Sequence, residues 1–417
     1  MAQLSAPTPL PESPSDELIR IRREIPRLWV DLNKRMKRGS EQFPLLCFAD
    51  HKVVRISPEL AGASEEWFFI GDIHGDFFAL HTLLCYAEKI RPDCKILFLG
   101  DMVDRGDHPF ECIFLLLEWG LRRPGRLAWI AGNHDVAFDL PAAGNKFTSQ
   151  VSPAELLDVL NQNDMLQGFR KLLGDFFLDL TRLLPRALLF PDGLLATHGG
   201  FPLSDLQVQG ETSENEVAYL DWLNSEPCLK DFTWTRIHRA PKKIPDRYST
   251  GSQYGFKDFE AFCALKPEWF PVQRMITGHE HPIEGFTVHT SYKVNPALTL
   301  VGFGFDDQRP MSSAYQHYKE TLHIAQGVTG KLPAVNAVPV DRAELEWMYP
   351  QPESESEPEP ESRPEPSPIL QPTPEPELLR QDEIVRTSAE EIAKNVQESP
   401  QPLGLLGTIK KWLPPKI

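Results

Sequence analysis

Cysteine is sparse in this 417-residue chain, and none of it is paired. Cys47, Cys85, Cys94, Cys112, Cys228 and Cys263 are scattered, with no CxxC among them. A disulfide framework is therefore not expected, and the six read as reduced, mostly buried thiols of a cytoplasmic protein. Long apolar runs are missing too. The longest, Cys112–Leu117, cannot span a bilayer, so no transmembrane segment is expected. The opening residues, MAQLSAPTPLPESPSDE, are Pro-rich and acidic without an apolar core, which argues against a signal peptide. Positive charge is in deficit: 43 Lys and Arg face 59 Asp and Glu, for a net charge of −16. A general nucleic-acid binder wants basic surface for phosphates, so no nucleic acid is expected as a partner.

What is present is hydrophobic patterning over most of the length. At 41% hydrophobic residues the chain can build a large core in one large domain or two ordinary ones. Residues 1–14 carry four prolines and no periodicity, and read as disordered. Asp16 is placed to cap a helix carrying Leu18, Ile21, Ile25, Leu28, Trp29, Leu32 and Met36, with Gly39 closing it and Pro26 kinking or splitting it. Its polar side is rich in Arg and Lys and reads as a solvated face. From Trp67 the pattern alternates strand and helix, which gives a sheet with helices on its faces. Ser152-Pro153-Ala154-Glu155 reads as a capping box opening a helical insertion at about 153–184. Arg186–Phe190 and Leu194–His198 read as a hairpin around Pro191-Asp192-Gly193. Residues 201–270 read as a long aromatic-rich loop region, and Phe286–Val294 with Leu298–Phe305 as antiparallel strands. The catalytic domain is expected over 15–349. Beyond it, 350–417 is Pro- and Glu-rich and reads as a disordered tail, with a short apolar segment at Leu403–Ile417 that could dock back on the core, bind a protein partner or touch a membrane surface.

One event recurs. Ile96-Leu97-Phe98-Leu99 is a short apolar strand that runs into Gly100-Asp101, with Asp104 and Arg105 close behind. Trp67–Ile70 runs into Gly71-Asp72-Ile73-His74. Leu127–Ala131 runs into Gly132-Asn133-His134-Asp135. Leu194–Thr197 runs into His198-Gly199, and Met275–Thr277 into Gly278-His279-Glu280-His281. A glycine after a strand is ordinary turn chemistry. Five strand ends that all deliver Asp, His or Asn are not. In open α/β sheets, ligands bind beyond the carboxyl ends of strands.

The delivered set is Asp72, His74, Asp101, Asn133, His198, His279 and His281. These are oxygen and nitrogen donors without sulfur, which suit Mn, Fe or Zn. Asp101 has two oxygens and can bridge two cations. Seven donors with one shared carboxylate suggest two divalent metals about 3.5–4 Å apart, with Mn as the first choice and Fe or Zn as alternatives. Such a pair brings the pKa of a shared water toward ~7 and clamps the oxygens of an in-line phosphoryl displacement. Asp104 and His134 are assigned differently: Asp104 orients His134, and His134 protonates the leaving alkoxide. Arg105 would hold two phosphate oxygens, a fork-shaped task that lysine does poorly.

GDIHG, GDMVDRG, GNHD, THGG and GHEH, in this order, resemble the calcineurin-like metallophosphoesterase superfamily. The GDxVDRG form is similar to its phosphoprotein phosphatase branch, which includes serine/threonine phosphatases and bis(5'-nucleosyl)-tetraphosphatases. The match covers roughly 67–305. The resemblance implies a four-layer metallophosphoesterase β-sandwich flanked by helices, an α/β or α+β fold. It implies that one metal takes Asp72, His74, Asp101 and His281, and the other Asp101, Asn133, His198 and His279. Asn133 would also touch substrate. Asp246-Arg247 ahead of Tyr254-Gly255 resembles the segment whose arginine contacts phosphate, with Arg236 and Arg239 as rivals for that role. The chain departs from the branch where RGNHE becomes AGNHD, RAHQ becomes TGHEH and SAPNY becomes GFGF. A serine/threonine-type phosphomonoesterase acting on phosphorylated protein is the leading function. A bis(5'-nucleosyl)-tetraphosphatase or broad phosphodiesterase acting on small phosphoesters is the alternative. A scaffold that recruits partners through its tail is a third reading.

Overall fold

In a computed structural model the chain is described over residues 9–350, apart from stretches at 40–41, 48–50, 143–145, 163–165, 204–215, 246–250, 266–270 and 310–313. Arg247 and the tail from 351 onward lie outside the described residues. Two six-stranded sheets face each other. In the first, the order runs Leu45–Leu46, Leu127–Trp129, Lys95–Phe98, Trp67–Ile70, Thr321–Gln326, Ala334–Pro339. Its first four strands are parallel and the last two antiparallel. In the second, the order is Phe286–Val288, Ala297–Leu300, Arg274–Thr277, Leu194–Thr197, Ala187–Leu189, Val53–Arg55.

Strand alternation sorts the apolar side chains into layers. Phe68, Ile70, Ile96 and Phe98 point toward helices Pro14–Arg38, Phe77–Ile90, Pro109–Arg122 and Gln167–Leu183. Trp67, Phe69, Leu97 and Leu99 point the other way and meet Leu188, Leu194, Ala196, Ile276 and Leu298 of the second sheet. The outer face of that sheet, Leu195 and Met275 among its residues, packs under Tyr219, Phe232, Phe259 and Phe262. The result is the expected helix–sheet–sheet–helix sandwich. Burial on both faces explains why these strands read as continuous apolar runs. The hairpin of Ala187–Leu189 with Leu194–Thr197 stands as expected, and the other antiparallel pair forms in shorter strands than expected, Phe286–Val288 with Ala297–Leu300.

Several local expectations need correction. Residues 9–13 are not loose: Leu10 is buried, and its N–H reaches the Glu88 carboxylate at 3.1 Å. The first helix is capped by Ser13, whose hydroxyl accepts from the Asp16 N–H, rather than by Asp16 itself. That helix runs unbroken through Pro26. Its buried stripe from Leu18 to Leu32 lies in the main core, where tertiary packing outweighs the missing hydrogen bond. Ser152 makes no capping box. The helix there begins at Glu155 behind Ala154, with no side-chain cap. Residues 201–270 are not one loop, for they hold helices Glu216–Leu223, Glu226–Trp234 and Phe256–Ala264.

Candidate metal centre and phosphate site

The five strand ends meet at one edge of the sandwich. Asp72, His74, Asp101 and Asn133 come from the first sheet, and His198, His279 and His281 from the second. All are buried except His281, which keeps partial access to solvent. The loops approach so closely that two positions exclude a side chain. A Cβ on Gly132 would lie 2.1 Å from Asp101 Oδ1, and one on Gly278 would lie 2.2 Å from Asp72 Oδ1. Glycine follows these strands because a neighbouring carboxylate occupies the space.

Three groups of donor atoms converge, each within 4.8 Å: Asp72 with His74 and His281, Asp101 with His198 and His279, and His74 with Asp101 and His134. The ring orientations are fixed from behind. His74 Nδ1 donates to the Val103 carbonyl at 2.7 Å, and His198 Nδ1 to the Leu99 carbonyl at 2.9 Å. Asn133 Oδ1 lies 3.0 Å from His198 Nε2. Nε2 of His74 and Nε2 of His279 are buried and meet no hydrogen-bond partner. Buried polar atoms are ordinarily satisfied, so unpartnered imidazole nitrogens aimed at carboxylates fit cation ligation. Two of the three groups fall within the four-residue ligand sets implied by the resemblance, the first without Asp101 and the second without Asn133.

Charge supports the same role. Burial raises the Asp101 carboxyl, but His198, His134 and His74 outweigh it and hold Asp101 well below the usual carboxylate range. Burial keeps His74 and His279 well below the usual imidazole range, so both are neutral donors. Burial also opposes protonation of His198, yet Asp101 and Asp72 outweigh it and raise the ring to about 9. A cation at that position would take the place of a proton.

The structure brings Asp104 and His134 together: His134 Nδ1 meets Asp104 Oδ2 at 2.7 Å, and the His134 backbone N–H is held by Asp101 Oδ1 at 2.9 Å. The other Asp104 oxygen accepts from the Leu156 N–H at 3.0 Å, so the helix opening at Glu155 buttresses this pair. Arg105 is partly exposed at the rim, and its Nε is buried without a partner. Arg236 also reaches the site, donating to the His279 carbonyl at 3.2 Å and to Glu280 at 3.3 Å. Arg239 is exposed.

Three acids escaped the sequence reading. Asp135 accepts from the backbone N–H groups of Asp101, Met102 and Gly132 at 2.9, 3.1 and 2.9 Å. Burial, with Asp101 nearby, raises it to about 7. Asp307 takes His281 Nδ1 at 2.6 Å and Arg105 at 3.3 Å. Glu155 accepts the Arg105 N–H at 2.8 Å. Asp135 was visible in GNHD, where it was read only as a departure from the family form. Nothing local marks Asp307.

A layered α/β sandwich with a buried oxygen- and nitrogen-donor cradle at its strand ends defines a metallohydrolase class. Residues 68–282 match the family model for calcineurin-like phosphoesterases, and the chain belongs to that family. It is 23% identical over 232 residues to a probable serine/threonine-protein phosphatase of Encephalitozoon cuniculi, covering 56% of this chain and 46% of that protein. It is 25% identical over 228 residues to serine/threonine-protein phosphatase T of Schizosaccharomyces pombe, covering 53% and 43%. Against a PP2A-like serine/threonine-protein phosphatase of Candida albicans the identity is 26% over 265 residues, covering 62% and 57%. The chain thus spans about half the length of the curated relatives it matches. Among solved structures, a Saccharomyces cerevisiae serine/threonine phosphatase with similarity to human PP5 aligns at TM-score 0.48 and 13% identity, over 77% of this chain and 90% of that one. A putative diadenosine tetraphosphatase aligns at 0.37 and 17%, over 70% and 99%.

Proposed function

We propose that the chain hydrolyses phosphate monoesters, with phosphorylated serine or threonine on a protein as its substrate class. One observation carries the reading. The single loop GDMVDRG places Asp101 in the cation cradle, Asp104 on the ring of His134, and Arg105 at the rim with an unpartnered donor. On this reading cation ligation, proton delivery and phosphate grip all draw on a run of five residues.

Asp72, His74 and His281 would hold one divalent cation, and Asn133, His198 and His279 the other, with Asp101 between them. The cations, Mn before Fe or Zn, supply Lewis acidity: they neutralise charge on phosphoryl oxygens and ease deprotonation of water. The protein supplies the rest. His134, fixed by Asp104 through Nδ1, presents Nε2 as the acid that protonates the departing serine or threonine oxygen. Arg105 grips phosphoryl oxygens, and Arg236 stands near enough to His279 to share that task if Arg247 does not. A monoester carries two charges near neutral pH and a diester one. Two cations and the arginines therefore favour the monoester where differential binding counts, at the transition state.

The departures GNHD and GHEH do not by themselves argue for a dinucleotide substrate. Asp135 is used up on three backbone N–H groups, and His281 turns into the cradle. The test is kcat/KM with Mn on para-nitrophenyl phosphate, its bis ester, a phosphopeptide and a dinucleotide tetraphosphate. The monoester and the phosphopeptide are expected to lead, and Arg105→Ala to narrow the gap between monoester and diester. A faster diester or tetraphosphate, or equal damage to both esters by Arg105→Ala, would overturn the reading.

A further inference from the structure

Asp307 stands just beyond the Gly302–Phe305 stretch that ends the Ala297–Leu300 strand. One of its oxygens serves two neighbours: Oδ2 lies 2.6 Å from His281 Nδ1 and 3.3 Å from an Arg105 terminal nitrogen. The far side of the His281 ring, Nε2, lies 3.1 Å from Asp72 Oδ2. Phe303 meets that ring edge-on at a centroid distance of 5.0 Å, and the ring also stands edge-on to His74 at 5.4 Å. The imidazole is therefore clamped by aromatic neighbours and aimed by a carboxylate. A carboxylate that accepts from Nδ1–H fixes the tautomer that leaves Nε2 as the donor facing the cradle.

Arg105 is tied at both ends. Its backbone N–H goes to Glu155, its guanidinium goes to Asp307, and its Nε remains unpartnered. The backbone of Arg105 is left-handed, at φ 66°, so the residue is held where few non-glycine residues rest.

We propose that Asp307 is a positioning residue that couples the cation site to the phosphate grip, holding His281 in its ligating tautomer and Arg105 in its gripping position through one oxygen. This rests on the reading of Asp72, His74 and His281 as cation ligands. A carboxylate behind a metal-bound imidazole is worth roughly 10–100-fold in metal affinity. A purely structural ion pair closing residues 302–309 would leave that affinity alone.

The test uses the full chain stripped with chelator and titrated with Mn(II), with free Mn(II) read by electron paramagnetic resonance. Asp307→Ala, Asp307→Asn, His281→Ala and the Asp307→Ala/His281→Ala double variant are compared with the parent. In Asp307→Ala one Mn(II) is expected to bind about 10–100-fold more weakly while the other is retained. The double variant should bind no worse than His281→Ala alone. KM for para-nitrophenyl phosphate at saturating Mn(II) should rise more than kcat falls, because Arg105 loses its anchor. Asp307→Asn keeps the shape and guards against a fold failure in the Ala variant. It should show the same pattern with a smaller loss. Parental Mn(II) titration in both variants would overturn the proposal, as would additive losses in the double variant or an unchanged KM. A parent that binds Mn(II) but turns over no ester would sink the phosphatase reading and leave the Mn(II) titrations as a valid test of Asp307.

Discussion

At the scale of single residues, the site is built from unusual backbone. Among the described residues, six non-glycine positions have positive φ, and five of them are His74, Asp101, Asp104, Arg105 and His279. Each such residue costs on the order of 1–2 kcal/mol, so their concentration marks where folding energy is spent on geometry. The cost is offset by hydrogen bonds such as those that the backbone N–H groups of Asp101 and Met102 donate to Asp135. Two substitutions separate the assigned roles. Asp101→Asn should lose Mn(II) and activity together, since a neutral amide bridges two cations poorly. An active variant with two bound metals would contradict the bridge. His134→Asn should keep both metals and lose roughly 10²–10⁴-fold in kcat/KM on esters with poor leaving groups. The loss should shrink for good leaving groups, which need no proton. Equal losses on both series would refute the acid.

At the scale of elements, helix Phe77–Ile90 shows how a cap can reach beyond its own helix. Asp76 accepts from the Ala79 N–H at 3.0 Å, from the Gly304 N–H at 2.9 Å and from the Tyr318 hydroxyl at 2.8 Å. It thereby pins the loop that leads to Asp307. Burial raises its pKa to about 6 from the ordinary carboxylate value, against the pull of those donors. A raised carboxyl binds its proton more tightly in the folded state. Its contribution to stability is therefore full at low pH and declines as pH rises through about 6. Asp76→Ala should destabilise the chain by about 1–3 kcal/mol in urea unfolding, with the deficit largest near pH 4 and smaller above pH 7. A deficit that grows with pH would reverse the assignment.

The strands and their ends were legible in the sequence because a short apolar run that ends beside a glycine and a polar donor is a local pattern. The helices between 216 and 264 were not. They are eight or nine residues long and separated by tight turns and strands of two or three residues, so no periodic run is long enough to stand out. Glu155 was read as part of a cap, yet it serves Arg105, 50 positions earlier in the chain. Asp307 meets Arg105 across 202 positions, a juxtaposition that only the folded sandwich makes.

At the scale of the whole molecule, every assigned group within the described residues falls between Asp72 and Asp307. The described chain closes with Tyr349 stacked on Tyr315 at 3.7 Å. Removing 351–417 is therefore expected to leave turnover of para-nitrophenyl phosphate unchanged, and a folded, metal-loaded truncation without turnover would show that the tail completes the site. The division of the cradle between the sheets has a wider consequence. Asp72 already bridges to Val301, and His198 of the second sheet leans on Leu99 of the first. Cations held by side chains from both halves would rivet them together, as a removable crosslink does. At a free concentration 100 times its Kd, one cation adds about 2.7 kcal/mol to folding. Thermal scans with and without chelator should show this as a drop in midpoint, and limited proteolysis as faster cleavage. In a cell short of the metal, the abundance of the protein, and not only its rate, would then follow the metal supply.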